Sequence, residues 1–379
     1  MFRCSIRTGL GLWSFLFLLL PLHADTPPER HGSIEIVQPG IQVRGGFTLT
    51  WQHASDPAVR DEALGSFDLV SIMPWRAGYW TLYVEGNLSP RSQGIHALLP
   101  VANADAGSAL DRDGRGRLQV SELRYSRRFG KRLLSLGLID PTDMLDNSAV
   151  ANDETRQFIN ANLVNNPTIA FPDYTLGLSW HRDVEPDRLD ITVFMGSSHG
   201  LADNPDASYS ELVDVTAPGK GLFLALETYW TAPGSLLRLG AWMNSAAFPR
   251  LDTTSGTATN HGLYAVFDFA RDNVLWMLRA GLANPAVSPG ARFLSLGASW
   301  PVWTAEAGMG VAWVGQSRKA LDPDLKDELD MEAWLRLSLT ENLEITPSIQ
   351  WLQHPDLDIG SGHVAARSRV ATLRLNYLF

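Results

Sequence analysis

The chain has 379 residues, 45% of them hydrophobic and only 19% charged, with a mean hydropathy of −0.07. This balance is too polar for a bundle of membrane helices and too long for a small module. A formal charge of −10 argues against nucleic acid as a partner, and a single cysteine, Cys4, excludes a disulfide framework.

Arg3 and Arg7 precede an apolar run from Gly9 to Leu22, and Leu22-His23-Ala24 ends in a small residue, so 1–24 reads as a secretory signal peptide. Cys4 lies before the apolar run, which rules it out as a lipoprotein attachment site. Removing the segment takes away the thiol and both arginines, moving the charge from −10 to −12. Beyond it no uninterrupted apolar run reaches the roughly 18 residues that a spanning helix needs. Entry into a membrane therefore requires strands. Residues 25–46 read as a polar periplasmic lead, and 47–379 as one domain.

From Phe47 the chain breaks into segments of about ten residues with period-two alternation, the length a tilted strand needs to cross a bilayer. Phe47-Leu49-Trp51 alternate with Thr48, Thr50 and Gln52. Vaguer runs follow at 67–73, 118–129 and 131–139, with Trp80-Leu82-Val84 between them. Apolar faces then recur at 174–180, 189–195, 222–226, 237–243, 263–269, 274–280, 294–300, 307–313, 329–337 and 343–351. In the last segment, Arg369–Phe379, Ala371, Leu373, Leu375, Tyr377 and Phe379 share one side, with Thr372, Arg374 and Asn376 on the other. Left alone it would be a sticky edge, whereas a closed barrel gives it two neighbours.

About sixteen strands result, the even number that a single-chain barrel with both ends on one side requires. The gaps alternate between short (74–78, 129–130, 183–187, 231–235, 270–273, 301–304, 340–342) and long (54–66, 88–117, 140–173, 197–220, 245–260, 283–290, 315–327, 354–366). That parity matches short periplasmic turns and long outer loops, and a soluble sandwich has no reason to keep it. The thirteen Trp residues, several at segment ends (Trp51, Trp180, Trp230, Trp300, Trp351), suit interfacial girdles. The fold expected is an all-β transmembrane antiparallel barrel of about 16 strands, with an inward-folded third outer loop.

The terminal aromatic residue resembles the assembly signal of Gram-negative outer-membrane barrels. Three stretches resemble the OprB-type carbohydrate-selective porin family: Ser121-Glu-Leu-Arg-Tyr125; the block Gly137-Leu-Ile-Asp-Pro-Thr-Asp143, Asn147–Glu154 and Asn165–Tyr174; and Ile345-Thr-Pro-Ser-Ile-Gln-Trp351. The resemblance implies a sixteen-stranded diffusion channel whose constriction favours sugars. Its implied partners are small sugars as solute, the lipid bilayer with lipopolysaccharide, and the barrel assembly machinery, in the Gram-negative outer membrane. It implies no cofactor, no metal and no catalysis.

A pore for neutral sugars needs polar groups that replace hydroxyl hydrogen bonds to water, held weakly enough to permit flux. Alternation turns Glu85, Glu122, Arg124, Asp190, Glu227, Arg238, Trp242, Asp268, Arg279, Glu332, Trp334, Arg336 and Arg374 inward, since charge facing lipid is costly. Glu122, Arg124, Arg238, Glu332, Trp334 and Arg336 stand out, because opposite charges or an aromatic ring sit two residues apart on one strand face. Guanidinium forks and carboxylates suit adjacent hydroxyls. The connection 140–173, roughly 34 residues, is too long to be slack. It is expected to fold into the pore, with Asp143, Asp146, Asp153, Glu154 and Arg156 reaching the channel.

Asp111–Glu122 imitates a calcium loop, but Arg115 occupies a ligand position and a strand follows, so it reads as an outer loop. The acidic tip 321–327 reads as solvated. The scattered histidines offer no metal spacing, and Ser198-His199 no nucleophile motif. A general or cation-favouring pore, motivated by the negative charge, and an outer-membrane hydrolase remain the alternatives.

Overall fold

The computed structural model describes residues 40–107, 109–185, 189–201, 209–321, 325–355 and 365–379. The expected signal peptide, 1–24, and the lead up to residue 39 lie outside them.

Sixteen antiparallel strands close into one barrel: β1 (Gln42–Ala54), β2 (Glu62–Trp75), β3 (Gly78–Asn87), β4 (Leu118–Phe129), β5 (Arg132–Ile139), β6 (Thr175–Glu185), β7 (Leu189–Ser197), β8 (Leu222–Ala232), β9 (Ser235–Pro249), β10 (Thr257–Arg271), β11 (Val274–Ala283), β12 (Gly290–Val302), β13 (Ala305–Gln316), β14 (Glu328–Ser338), β15 (Leu343–Gln353) and β16 (Arg367–Leu378). Each strand pairs with its sequence neighbours, and β1 pairs with β16 from Gly46↔Leu378 to Ala54↔Val370. At the seam Phe379 and Gly45 exchange backbone hydrogen bonds, each 3.0 Å. The Phe379 ring lies 5.9 Å from that of Phe47. β1 begins inside the segment expected to be lead.

Alternation decides which face each side chain takes. In β1, Thr48, Thr50 and Gln52 are buried while Phe47, Leu49 and Trp51 are about half exposed. β16 repeats the arrangement, with Arg374 and Asn376 inside and Leu373, Leu375 and Tyr377 outside. Apolar outside and polar inside inverts a soluble protein and fits a lipid surround. Among the described residues no helix is long and apolar enough to cross a membrane.

The connections alternate as expected. Two residues join β2–β3, β4–β5, β8–β9, β10–β11 and β12–β13. In the β10–β11 turn Asp272 and Asn273 both take positive φ, 53° and 63°, the conformation that matches the strand twist and that Asp and Asn tolerate best among non-glycine residues. At the other end of the barrel the long connections 88–117 and 140–174 carry their own buried apolar groups. Val150, Phe158 and Leu163 pack with Met277, Phe293, Ala312 and Trp334. Ile95, Leu99 and Ala102 pack with Ala54, Leu352 and Val370.

Candidate functional site

Every charged or aromatic residue that alternation turns inward lies on the buried face: Glu227, Asp268, Arg279 and Arg374 are fully buried, and Arg124 and Arg336 partly so. Several of them find partners in the connection 140–173. Arg279 donates from Nη1 to the carbonyls of Leu163 (3.2 Å) and Val164 (2.8 Å), and from Nη2 to those of Asp146 (3.0 Å) and Ala151 (3.1 Å). Arg374 donates to the carbonyls of Glu154 and Gln157. Glu332 accepts from the amides of Ile159 and Asn160, Asp268 from Ser148 Oγ and the Ala149 amide, and Glu227 from the Asp146 amide. Arg156 meets Glu344 through two hydrogen bonds of 2.8 and 2.7 Å.

The wall partners of 146–166 thus come from β8, β10, β11 and β14 to β16. Small inward residues leave room for the packing. A Cβ added to Gly281 would sit 2.0 Å from Thr168 Oγ1, and one added to Gly310 would sit 2.9 Å from Leu163.

A second inward contact was not anticipated from the sequence. In the connection 88–117 the carbonyl of Ala102 accepts from Gln52 and Gln350, Asn103 donates to Gln52, and Asp105 accepts from Ser66 Oγ. Close by, Tyr83 donates to Asp68 (2.6 Å) and Glu85 (3.1 Å), and Tyr174 donates to Glu85 (2.9 Å).

The expected site residues divide into two groups. Arg238 is buried against Asp268 at 3.1 Å, Glu332 is held by loop amides, Trp334 packs edge-on against Phe158, and Asp146 is buried 3.5 Å from Arg279. Protein partners occupy these four. Of the others Glu122 is buried, and the rest keep some exposed surface. Arg124 bridges Glu122 (2.8 Å) and Asp143 (2.9 Å), and the Asp143 side chain is 55% exposed. Arg336 pairs with Glu306 and lies 3.9 Å from Glu344, near the part-exposed Arg156. Glu154 is part-exposed as well.

Burial in the loop moves proton affinities. The Asp146 carboxyl is pushed up to about 6 by burial, with Arg279 opposing, and Asp140 is likewise raised to about 6. Burial also raises Glu154.

The calcium-like segment folds otherwise. Asp111 accepts from the amides of Asp113 and Arg115, while Glu122 sits in β4 bonded to Arg124 and the Asp140 amide. Ser198 Oγ bonds His199 Nδ1 at 2.8 Å and accepts from the Gly221 amide, which ties the connection after β7 to the start of β8. Among the described residues, His181, Asp183 and Asp190 bring ligand atoms within 4.8 Å of one another, a cluster that linear spacing did not reveal. It forms because Asp183 and Asp190 stand opposite each other across the β6–β7 hairpin.

No family model matches the chain. A curated protein of Aquifex aeolicus (strain VF5), described as uncharacterized, is 34% identical over 80 residues, 21% of this chain; the chain spans about a quarter of that relative's length, 26%. Among solved structures, the high-pH structure of Pseudomonas putida OprB matches with a TM-score of 0.70 and 13% identity, covering 90% of this chain and 94% of that one. A mutant of the Rh. blastica porin matches with a TM-score of 0.55 and 10% identity over 90% and 100% of the two chains. The fold is the one seen in Pseudomonas putida OprB and the Rh. blastica porin, here a closed antiparallel barrel of sixteen strands.

Proposed function

We propose that this protein is an outer-membrane porin through which small sugars diffuse passively and selectively, with the connection 140–173 as its constriction. One observation carries the reading: the stretch 146–166 bonds to wall groups of β8, β10, β11 and β14 to β16, whereas Arg124 of β4 bridges the buried Glu122 and the exposed Asp143. Solute then passes between Arg124 and the stretch 146–166. A guanidinium flanked by two carboxylates offers both donors and acceptors to neighbouring hydroxyls, without the depth that would trap a sugar. Arg156 and Arg336, with Glu306 and Glu344, make a second polar station, and Glu154 borders the path. On the same reading 1–24 directs export, Phe379 engages the barrel assembly machinery, and the outer loops meet lipopolysaccharide.

The test is planar-bilayer recording with graded glucose and maltose. Sugar-dependent block of the ionic current, weakened in Arg124→Ala, is the expected result; current indifferent to every sugar would refute selectivity while leaving a channel. A cation-favouring pore is the second reading, supported by Asp68, Glu85 and Asp105 gathered near Tyr83 and Tyr174. A reversal potential measured across a potassium chloride gradient decides between the two.

A further inference from the structure

We infer that Arg279 is the positioning residue of the constriction, a single side chain that ties both legs of 140–173 to the wall and so sets the width of the opening without touching solute. The inference rests on the reading of this connection as the constriction.

Arg279 lies on the inner face of β11, opposite Val266 of β10 and Ser295 of β12. It is fully buried. A buried guanidinium without partners would be prohibitive, and the structure gives it an almost complete set. Nη2 bonds the descending leg at Asp146 and Ala151, Nη1 bonds the returning leg at Leu163 and Val164, and Nε faces the Asp146 carboxylate at 3.5 Å. The acceptors of the four hydrogen bonds are backbone carbonyls, so the interaction reads the path of the chain and not its side chains. Only a planar fork with donors on both nitrogens reaches both legs at once; an ammonium is a point charge with three donors. Two residues on, Gly281 leaves the space in which Asn166 and Thr168 of the returning leg sit. One stretch of β11 therefore supplies both the grip and the seat.

The fork geometry, not the positive charge, is the requirement. Arg279→Lys and Arg279→Met, purified in detergent with the barrel verified by heat-modifiable mobility, are digested with trypsin. Wild type resists cleavage after Arg156, and both variants are cut about tenfold faster or more, since hydrogen bonds to a charged group are lost. Arg271→Ala, at the exposed end of β10, leaves the rate unchanged. A folded Arg279→Lys cut at the wild-type rate overturns the inference. So does failure of every Arg279 variant to reach the folded form, which would make the residue a determinant of barrel folding instead.

Single-channel conductance of the same variants separates this inference from the one beneath it. Faster cleavage with raised conductance supports both. Faster cleavage with unchanged conductance leaves Arg279 as the anchor and removes the constriction role of the loop.

Discussion

Single residues in this barrel answer to two solvents. Leu278 faces outward from β11 and is 42% exposed; replacing it with Arg sets a charge against hydrocarbon and costs about 2–4 kcal/mol if the site lies near the midplane. Denaturant titration of folding into lipid vesicles measures the loss. Inside, Arg238 and Asp268 form an ion pair with side chains 1% and 0% exposed. Arg238→Leu leaves the carboxylate buried with only Ser148 and Ala149 as donors, and is expected to destabilise by about 3–5 kcal/mol. The double change Arg238→Leu with Asp268→Asn recovers part of that loss, because the uncompensated charge is gone. A double variant as unstable as the single one would show that shape, not charge, governs the pair.

Among elements, the connection 140–173 is the one whose placement matters most. Gly310→Val puts a Cβ 2.9 Å from Leu163 and 3.0 Å from Phe158, so the loop must move while the β13 backbone pairing stays. Raised single-channel conductance at an unchanged barrel melting temperature is the expected outcome. The loop also responds to acid. The Asp146 carboxyl, ordinarily near 3.8, is raised to about 6 by burial, so between these values the folded state holds the extra proton. Loop stability therefore falls as pH rises through about 6 and recovers on acidification. Hydrogen exchange over 146–166 is expected to be more protected, after correction for intrinsic rates, at pH 5 than at pH 7.5. Asp146→Asn removes the difference. The strands were legible in the sequence because alternation is local: β4 occupies 118–129, the run read for it. The anchors were not, because alternation turns Glu332 inward without saying what stands opposite, and its partner Asn160 is 172 residues away. Glycine and apolar residues at inward positions, Gly281, Gly310, Met277 and Ala312, were the available signal, since a wetted wall has no use for them.

On the scale of the whole molecule, the closed sheet removes every strand edge, with β1 and β16 paired over nine residue positions from Gly46↔Leu378 to Ala54↔Val370. Thr50→Pro in β1 deletes an amide beside that seam and is expected to reduce the yield of heat-modifiable barrel more than the same change in an outer loop. Gel mobility of the two variants makes the comparison. The even strand number and alternating loop lengths were readable from spacing alone; the second inward contact, at 95–105, was hidden because its polar partners, Gln52 and Gln350, look like ordinary wall residues. Chain order adds a dependence of the early half of the sequence on the late half. The wall groups that grip 146–166 all belong to strands that follow it in the chain, from β8 onward, so a chain cut short before β8 would carry this loop with none of those bonds to hold it.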